Sequence, residues 1–124
     1  MSSRILVIED NAANLDLVSY LLKAFGYEVA CETSGASGLE TAMSGSYDLV
    51  LSDILMPDMD GFEFARRFKA DPRVARTPLV AVTALAMAGD REKILAAGFD
   101  GYISKPIDPR TFGSQIAAFL VPHG

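Results

Sequence analysis

The sequence predicts a doubly wound α/β domain, with one five-stranded parallel sheet covered on both sides by helices. Three observations predict it. Short apolar runs rich in β-branched residues alternate five times with amphipathic stretches. The runs are apolar on both faces, as strands buried under helices on both sides must be. No hairpin signal joins one run to the next, so each connection is a crossover.

The elements follow in order. Residues 5–8 (Ile-Leu-Val-Ile) form the first strand. Val18, Leu21, Leu22 and Phe25 recur at helical spacing, and Gly26 stands where a left-handed C′ residue ends the helix. Residues 28–31 are the second strand, and a short helix lies around residues 39–42. Residues 49–51 are the third strand. Phe62, Ala65 and Phe68, with Arg66, Arg67 and Lys69 opposite, give a helix capped by Asp60 and ended before Pro72. Residues 79–82 are the fourth strand, followed by a short helix around residues 91–97; residues 101–103 are the fifth. Asp108-Pro109 is an N-cap followed by proline at the first helical position, and Phe112, Ile116, Phe119 and Leu120 carry the last apolar face. Gly113 inside that helix costs roughly 0.5–1 kcal/mol relative to alanine.

A length of 124 residues fits one domain spanning 1–124, with its core at about residues 4–120 and no output domain. Half the residues are hydrophobic and 22% are charged, which excludes a disordered chain. The net charge of −5 argues against a sequence-independent grip on nucleic acid, which needs a basic face. The apolar run at residues 79–88 is broken by Thr83 and falls short of the ~20 residues that span a bilayer, so no membrane is expected. Arg4 leads straight into the first strand, with no signal-peptide pattern. Cys31 is the single cysteine and has no partner for an internal disulfide, so a cytoplasmic location is the expectation.

Periodicity does not give strand order. A five-unit chain of this kind most often adopts 2-1-3-4-5, with ligands bound beyond the carboxyl ends of the first and third strands, where the winding reverses. The first strand ends in Glu9-Asp10 and the third in Asp53. Three carboxylates that close call for a neutralising hard cation, and an open oxygen-rich site suits Mg²⁺. The fourth strand ends in Thr83-Ala84 and the fifth in Lys105-Pro106, adding a hydroxyl and an ammonium. A carboxylate flanked by a metal, a hydroxyl and a lysine has a partner for each oxygen of a phosphoryl group placed on it. Ala84 leaves the path to Asp53 open. The Lys105–Pro106 peptide is either cis, which would turn the lysine inward, or trans, which is the commoner form and the expectation from sequence alone.

On these residues the chain resembles the response-regulator receiver domain of two-component signalling. The resemblance runs from Arg4 to Leu120 and rests on Glu9-Asp10, on Asp53 with residues 56–61 (Met-Pro-Asp-Met-Asp-Gly), on Thr83-Ala84 and on Lys105-Pro106. Four motifs in the right order, each at a strand end, make it specific. It implies the flavodoxin-like (βα)5 fold in order 2-1-3-4-5. It implies Asp53 as phosphoacceptor, Asp10, Asp53 and the backbone carbonyl of Leu55 as Mg²⁺ ligands, and Glu9 as a ligand through water. It implies Lys105 and Thr83 as partners of the phosphoryl oxygens, and Thr83 with Tyr102 as the switch. The donor implied is a histidine kinase or histidine phosphotransfer protein. The output implied is contact with a downstream protein through the fourth helix, fifth strand and fifth helix, and the only chemistry catalysed is the domain's own phosphorylation and dephosphorylation. Residues 9–14 and 84–90 are most similar to stand-alone regulators of the DivK kind and to receivers of hybrid histidine kinases. Glu9 stands where aspartate is commoner, and Ser52 is more polar than usual and suits a local bond to backbone.

Other readings stand beside this one. A Mg²⁺-dependent aspartyl phosphohydrolase commonly carries a second carboxylate two residues after its nucleophile, and Asp10-Asn11-Ala12 lacks it. A nucleotide binder on the same fold would need a phosphate-cradling first loop, which Glu9-Asp10 would repel. Leu55 and Leu85, two residues after Asp53 and Thr83, either pack on their loops or leave attacking water unoriented, which predicts a long-lived aspartyl phosphate. Cys31 reads as a small core residue, and His123 as part of a terminal tail. Arg66, Arg67, Lys69, Arg73 and Arg76 read as a solvated basic face. Leu17 and Tyr20 fall off the first helix's stripe and serve either boundary packing or a partner.

Overall fold

The computed structural model describes residues 3–85 and 89–120. Ten elements alternate along the chain: β1 (Arg4–Ile8), α1 (Ala12–Ala24), β2 (Glu28–Glu32), α2 (Gly35–Ser44), β3 (Leu49–Ser52), α3 (Gly61–Ala70), β4 (Leu79–Thr83), α4 (Asp90–Ala96), β5 (Gly101–Ser104) and α5 (Pro109–Leu120). The strands form one sheet in the order β2-β1-β3-β4-β5, and every neighbouring pair is parallel. The strand-helix alternation and the order expected for it are both present.

Strand alternation divides the core in two. Leu6 and Ile8 of β1, Val50 of β3, and Leu79 and Ala81 of β4 face one side, where they pack with Phe64 and Phe68 of α3 and Ile94 of α4. Ile5, Val7, Leu49, Leu51, Val80 and Val82 face the other, against Val18 and Leu22 of α1 and Phe112 and Ile116 of α5. Each fully buried aromatic or aliphatic side chain contributes about 1.5–3 kcal/mol. The rings of Phe64 and Phe68 stack with centroids 5.6 Å apart. The central strand β3 is buried along its whole length, which pins the register of the site that follows it.

The helix ends follow the capping signals. Asn11 caps α1 by accepting from the Asn14 N–H at 3.0 Å, and Gly26 ends it at φ +93°. Asp60 accepts from the Glu63 N–H at 2.9 Å, and Asp108 accepts from the Arg110 N–H at 3.0 Å ahead of Pro109.

Two expectations are corrected. Cys31 is exposed, because β2 is an edge strand paired only with β1. The Lys105–Pro106 peptide is cis; an X–Pro bond is the setting in which that geometry costs least. The basic cluster is a solvated face as expected, with Arg66, Arg67, Arg73 and Arg76 exposed; Arg66 and Arg67 pair with Glu63, Arg73 with Asp71 and the half-buried Lys69 with Asp100. Leu17 and Tyr20 both stand on the exposed side of α1, with Tyr20 71% exposed. His123 and residues 86–88 lie outside the described residues.

Candidate functional site

Four strand ends place the site residues, because each follows or ends a strand of the one sheet. Glu9 and Asp10 come directly after β1, Asp53 after β3 and Lys105 after β5, while Thr83 is the last residue of β4. The backbone ladder runs one step past each strand: Glu9 N–H donates to Glu32 O at 3.0 Å, Asp53 N–H to Ile8 O at 3.0 Å and Lys105 N–H to Thr83 O at 2.8 Å. The side chains are therefore aimed by the sheet rather than by a free loop.

Carboxylate oxygens of Glu9, Asp10 and Asp53 all lie within 4.8 Å of one another. Glu9 and Asp53 are buried, and Asp10 is exposed at the rim. Lys105 bridges the two buried acids, its Nζ 2.7 Å from Glu9 Oε1 and 2.9 Å from Asp53 Oδ2. The other oxygen of Asp53, Oδ1, accepts from the Ile54 N–H at 2.7 Å and the Leu55 N–H at 3.4 Å.

One ammonium does not balance this cluster. Burial, reinforced by the neighbouring Asp53 carboxyl and opposed by Lys105, pushes the Glu9 carboxyl up to about 7. Burial acts against the charge on Lys105, and the hydrogen bonds to Glu9 and Asp53 outweigh it, so its pKa is raised. Glu9 Oε2 is buried without a hydrogen-bond partner. An orphaned carboxylate oxygen beside two further carboxylates is the donor set of a hard divalent cation, so the residues present fit one.

The surroundings hold this geometry. Ser52 Oγ donates to the Asp53 carbonyl at 2.9 Å, the local backbone bond its polarity suggests. Gly61 packs directly beneath that carbonyl and the Ile54 backbone, where a Cβ has no room. That close approach explains the glycine at the end of the 56–61 motif. Thr83 is fully buried and its hydroxyl accepts from the Leu85 N–H at 3.1 Å. Tyr102 and Leu85 are both part-buried against the core beneath α3 and α4. Leu55 is 59% exposed, so of the two leucines only Leu85 packs on the core. The structure thus brings Glu9, Asp10, Asp53 and Lys105 together, with Thr83 at the adjoining strand end. Periodicity gave no sign of a cavity of about 320 Å³ beside Asp53, bounded by α1 and the segment after β5.

Residues 5–117 match the family model of the response regulator receiver domain, and the chain belongs to that family. It is a receiver domain of two-component signalling. It is 38% identical over 120 residues to the polar-differentiation response regulator DivK of Brucella ovis, covering 97% of this chain and 98% of that protein. DivK of Brucella anthropi matches equally well, at 38% over 120 residues and the same coverage. Among solved structures, chemotaxis protein CheY4 of Vibrio cholerae superposes with a TM-score of 0.91 at 28% identity, covering 97% of this chain and all of that one. The receiver domain of sensor histidine kinase PA1611 from Pseudomonas aeruginosa superposes with a TM-score of 0.89 at 31% identity, covering 97% and 98%; that structure holds a magnesium ion in its active-site cleft. Among the described residues, no helix is long and apolar enough to cross a membrane.

Proposed function

We propose that this chain is a phosphoacceptor response regulator that takes a phosphoryl group onto Asp53 from the phosphohistidine of a histidine kinase or histidine phosphotransfer protein. One observation carries the reading: Asp53 is a buried carboxylate held between the Lys105 ammonium and two further carboxylates at the switch point of the sheet. Asp53 Oδ1 is tied to backbone N–H groups, so the side chain is fixed before reaction and little ordering remains to be done in the transition state.

Asp10, Asp53 and the backbone carbonyl of Leu55 would hold Mg²⁺, with Glu9 reaching it through water. When bound, the ion supplies neutralisation of the charge that develops on the transferred group. Lys105 shifts from pairing Glu9 and Asp53 to pairing a phosphoryl oxygen, and the Thr83 hydroxyl donates to another. Thr83 is then drawn toward the phosphoryl group, and the part-buried Tyr102 follows into the space released. This biases an existing equilibrium and re-shapes the α4-β5-α5 face, where a downstream protein docks. The receiver works in the cytoplasm, with neither nucleic acid nor membrane as partner. It catalyses no reaction but its own phosphorylation and dephosphorylation. The chemistry is the same for a receiver borne on a hybrid kinase.

The test is labelling of the purified protein from a phosphohistidine donor, with and without Mg²⁺. Label that requires Mg²⁺ and is absent from Asp53→Ala supports the reading; label retained by that variant overturns it.

A further inference from the structure

The α4 helix is seven residues long, buries only Ile94, and lies between two left-handed glycines, Gly89 at φ +94° and Gly98 at φ +116°. The two ends differ. A Cβ on Gly89 would meet no atom of the described residues within 4 Å, whereas one on Gly98 would lie 3.0 Å from Lys69 Cγ. The turn after α4 therefore closes over the stem of an α3 side chain. Lys69 Nζ donates to Ala75 O at 3.2 Å, to Thr77 O at 2.9 Å and to Asp100 Oδ2 at 2.9 Å. These bonds satisfy all three donors of the ammonium. Asp100 Oδ2 also accepts from the Leu79 N–H at 2.8 Å, and the Asp100 N–H donates to Leu79 O at 2.7 Å. One part-buried lysine thus ties α3, the connection into β4 and the residue before β5, at the end of the sheet away from Asp53. Phe99, between Gly98 and Asp100, is buried.

Resting on the phosphoacceptor reading of Asp53, we propose that Lys69 is a positioning residue for the switch. It holds the C-terminal end of α4, so that α4 tilts about Gly98 rather than sliding when Asp53 is phosphorylated. Movement enters at the other end. The Thr83 hydroxyl accepts from the Leu85 N–H at 3.1 Å, so drawing Thr83 toward a phosphoryl oxygen carries the Leu85 backbone, and the N-terminal end of α4, with it. The charge-assisted bond between Lys69 and Asp100 resists the same displacement at the far end. A helix displaced at one end and held at the other rotates about the held end, and a left-handed glycine there takes up the rotation. Leu95, 42% exposed on α4, swings relative to β5 while Ile94 stays in the core.

Beryllofluoride with Mg²⁺, a non-covalent mimic of the phosphoryl group, tests this on the full chain by backbone NMR. The amides of Ile54 and Leu55, which bond Asp53 Oδ1, report occupancy of the site. In the wild type, beryllofluoride should shift the amides of residues 89–93 about threefold more than those of residues 98–100. In Lys69→Met the two sets should shift equally, and Lys69→Arg, which keeps the charge, should restore most of the difference. Without beryllofluoride, the amides of Ala97, Gly98 and Phe99, bonded to the carbonyls of Lys93, Leu95 and Ile94, should exchange about tenfold faster in Lys69→Met than in the wild type. Asp100→Asn keeps an acceptor for the Leu79 N–H and removes only the charge, so it should move both readouts the same way even where Lys69→Met fails to fold. Wild-type shifts at residues 98–100 as large as those at 89–93 overturn the proposal while the phosphoacceptor reading stands. So do variants that leave both readouts unchanged. No shift at Ile54 or Leu55 overturns both.

Discussion

The Leu85 N–H donates to the Thr83 hydroxyl across 3.1 Å. The loop after β3 repeats the relation, with the Leu55 N–H reaching Asp53 Oδ1 at 3.4 Å. Each leucine is tied through its own backbone to the functional side chain two residues before it. Both side chains are apolar, so neither can hydrogen-bond a water.

The aspartyl phosphate should for that reason be long-lived, decaying over minutes or longer. Leu55→Asn and Leu85→Glu supply groups that can orient the attacking water, and each should speed decay by about tenfold, equivalent to ~1.4 kcal/mol. Loss of label from the purified phosphoprotein at fixed Mg²⁺ measures it. A wild type that decays within seconds contradicts the prediction.

Lys105 is the sole basic side chain bonded to the two buried acids among the described residues. Lys105→Met should lower the stability of the metal-free protein by about 2 kcal/mol. That is less than the ~3–5 kcal/mol of a fully buried broken pair, because the lysine is partly exposed and Glu9 can take up a proton. Glu9→Gln removes one of the stranded charges, so Lys105→Met should cost less in that background. Urea melts of the four proteins decide it, and additive losses would show that the pair is not coupled.

Mg²⁺ should stabilise the folded chain because it binds only when the strand ends converge. At a concentration one hundred times its Kd the gain is about 2.7 kcal/mol, or roughly 10 °C in Tm for a domain of this size. Asp10→Asn should abolish most of that increment without lowering the metal-free Tm, since Asp10 is exposed and its loss relieves like-charge crowding. Thermal melts across a Mg²⁺ series test this, and an undiminished increment in the variant would remove Asp10 from the ligand set.

Alternating patterns and caps made most of the fold legible. Val18 and Leu22, Ala65 and Phe68, and Phe112 and Ile116 are buried where helical spacing puts them, while Phe62 is only part-buried and Phe64, outside the predicted stripe, fills the core. The acids and the lysine were legible as strand-end residues, but their mutual distances depend on strand order, which periodicity does not carry. Cys31 was misread because an apolar run looks the same on an edge strand as on a central one. The cavity beside Asp53 left no trace because it arises where α1 and the segment after β5 fail to meet, a matter of packing between segments some ninety residues apart.

Gly113 shows how a local rule yields to packing. A Cβ there would lie 3.0 Å from Phe25 Cζ and 3.2 Å from Cε1, so the glycine lets α5 close against the residue that ends α1. Helix propensity alone assigns Gly113→Ala a gain of about 0.5–1 kcal/mol. Because the ring must move, that gain should vanish, leaving the variant within ~0.5 kcal/mol of wild type. Phe25→Ala clears the space, and in that background Gly113→Ala should recover its ~0.5–1 kcal/mol. A double-mutant cycle in urea measures the difference. A full gain in the wild-type background would mean that Phe25 yields freely and that the contact between α1 and α5 does not require glycine.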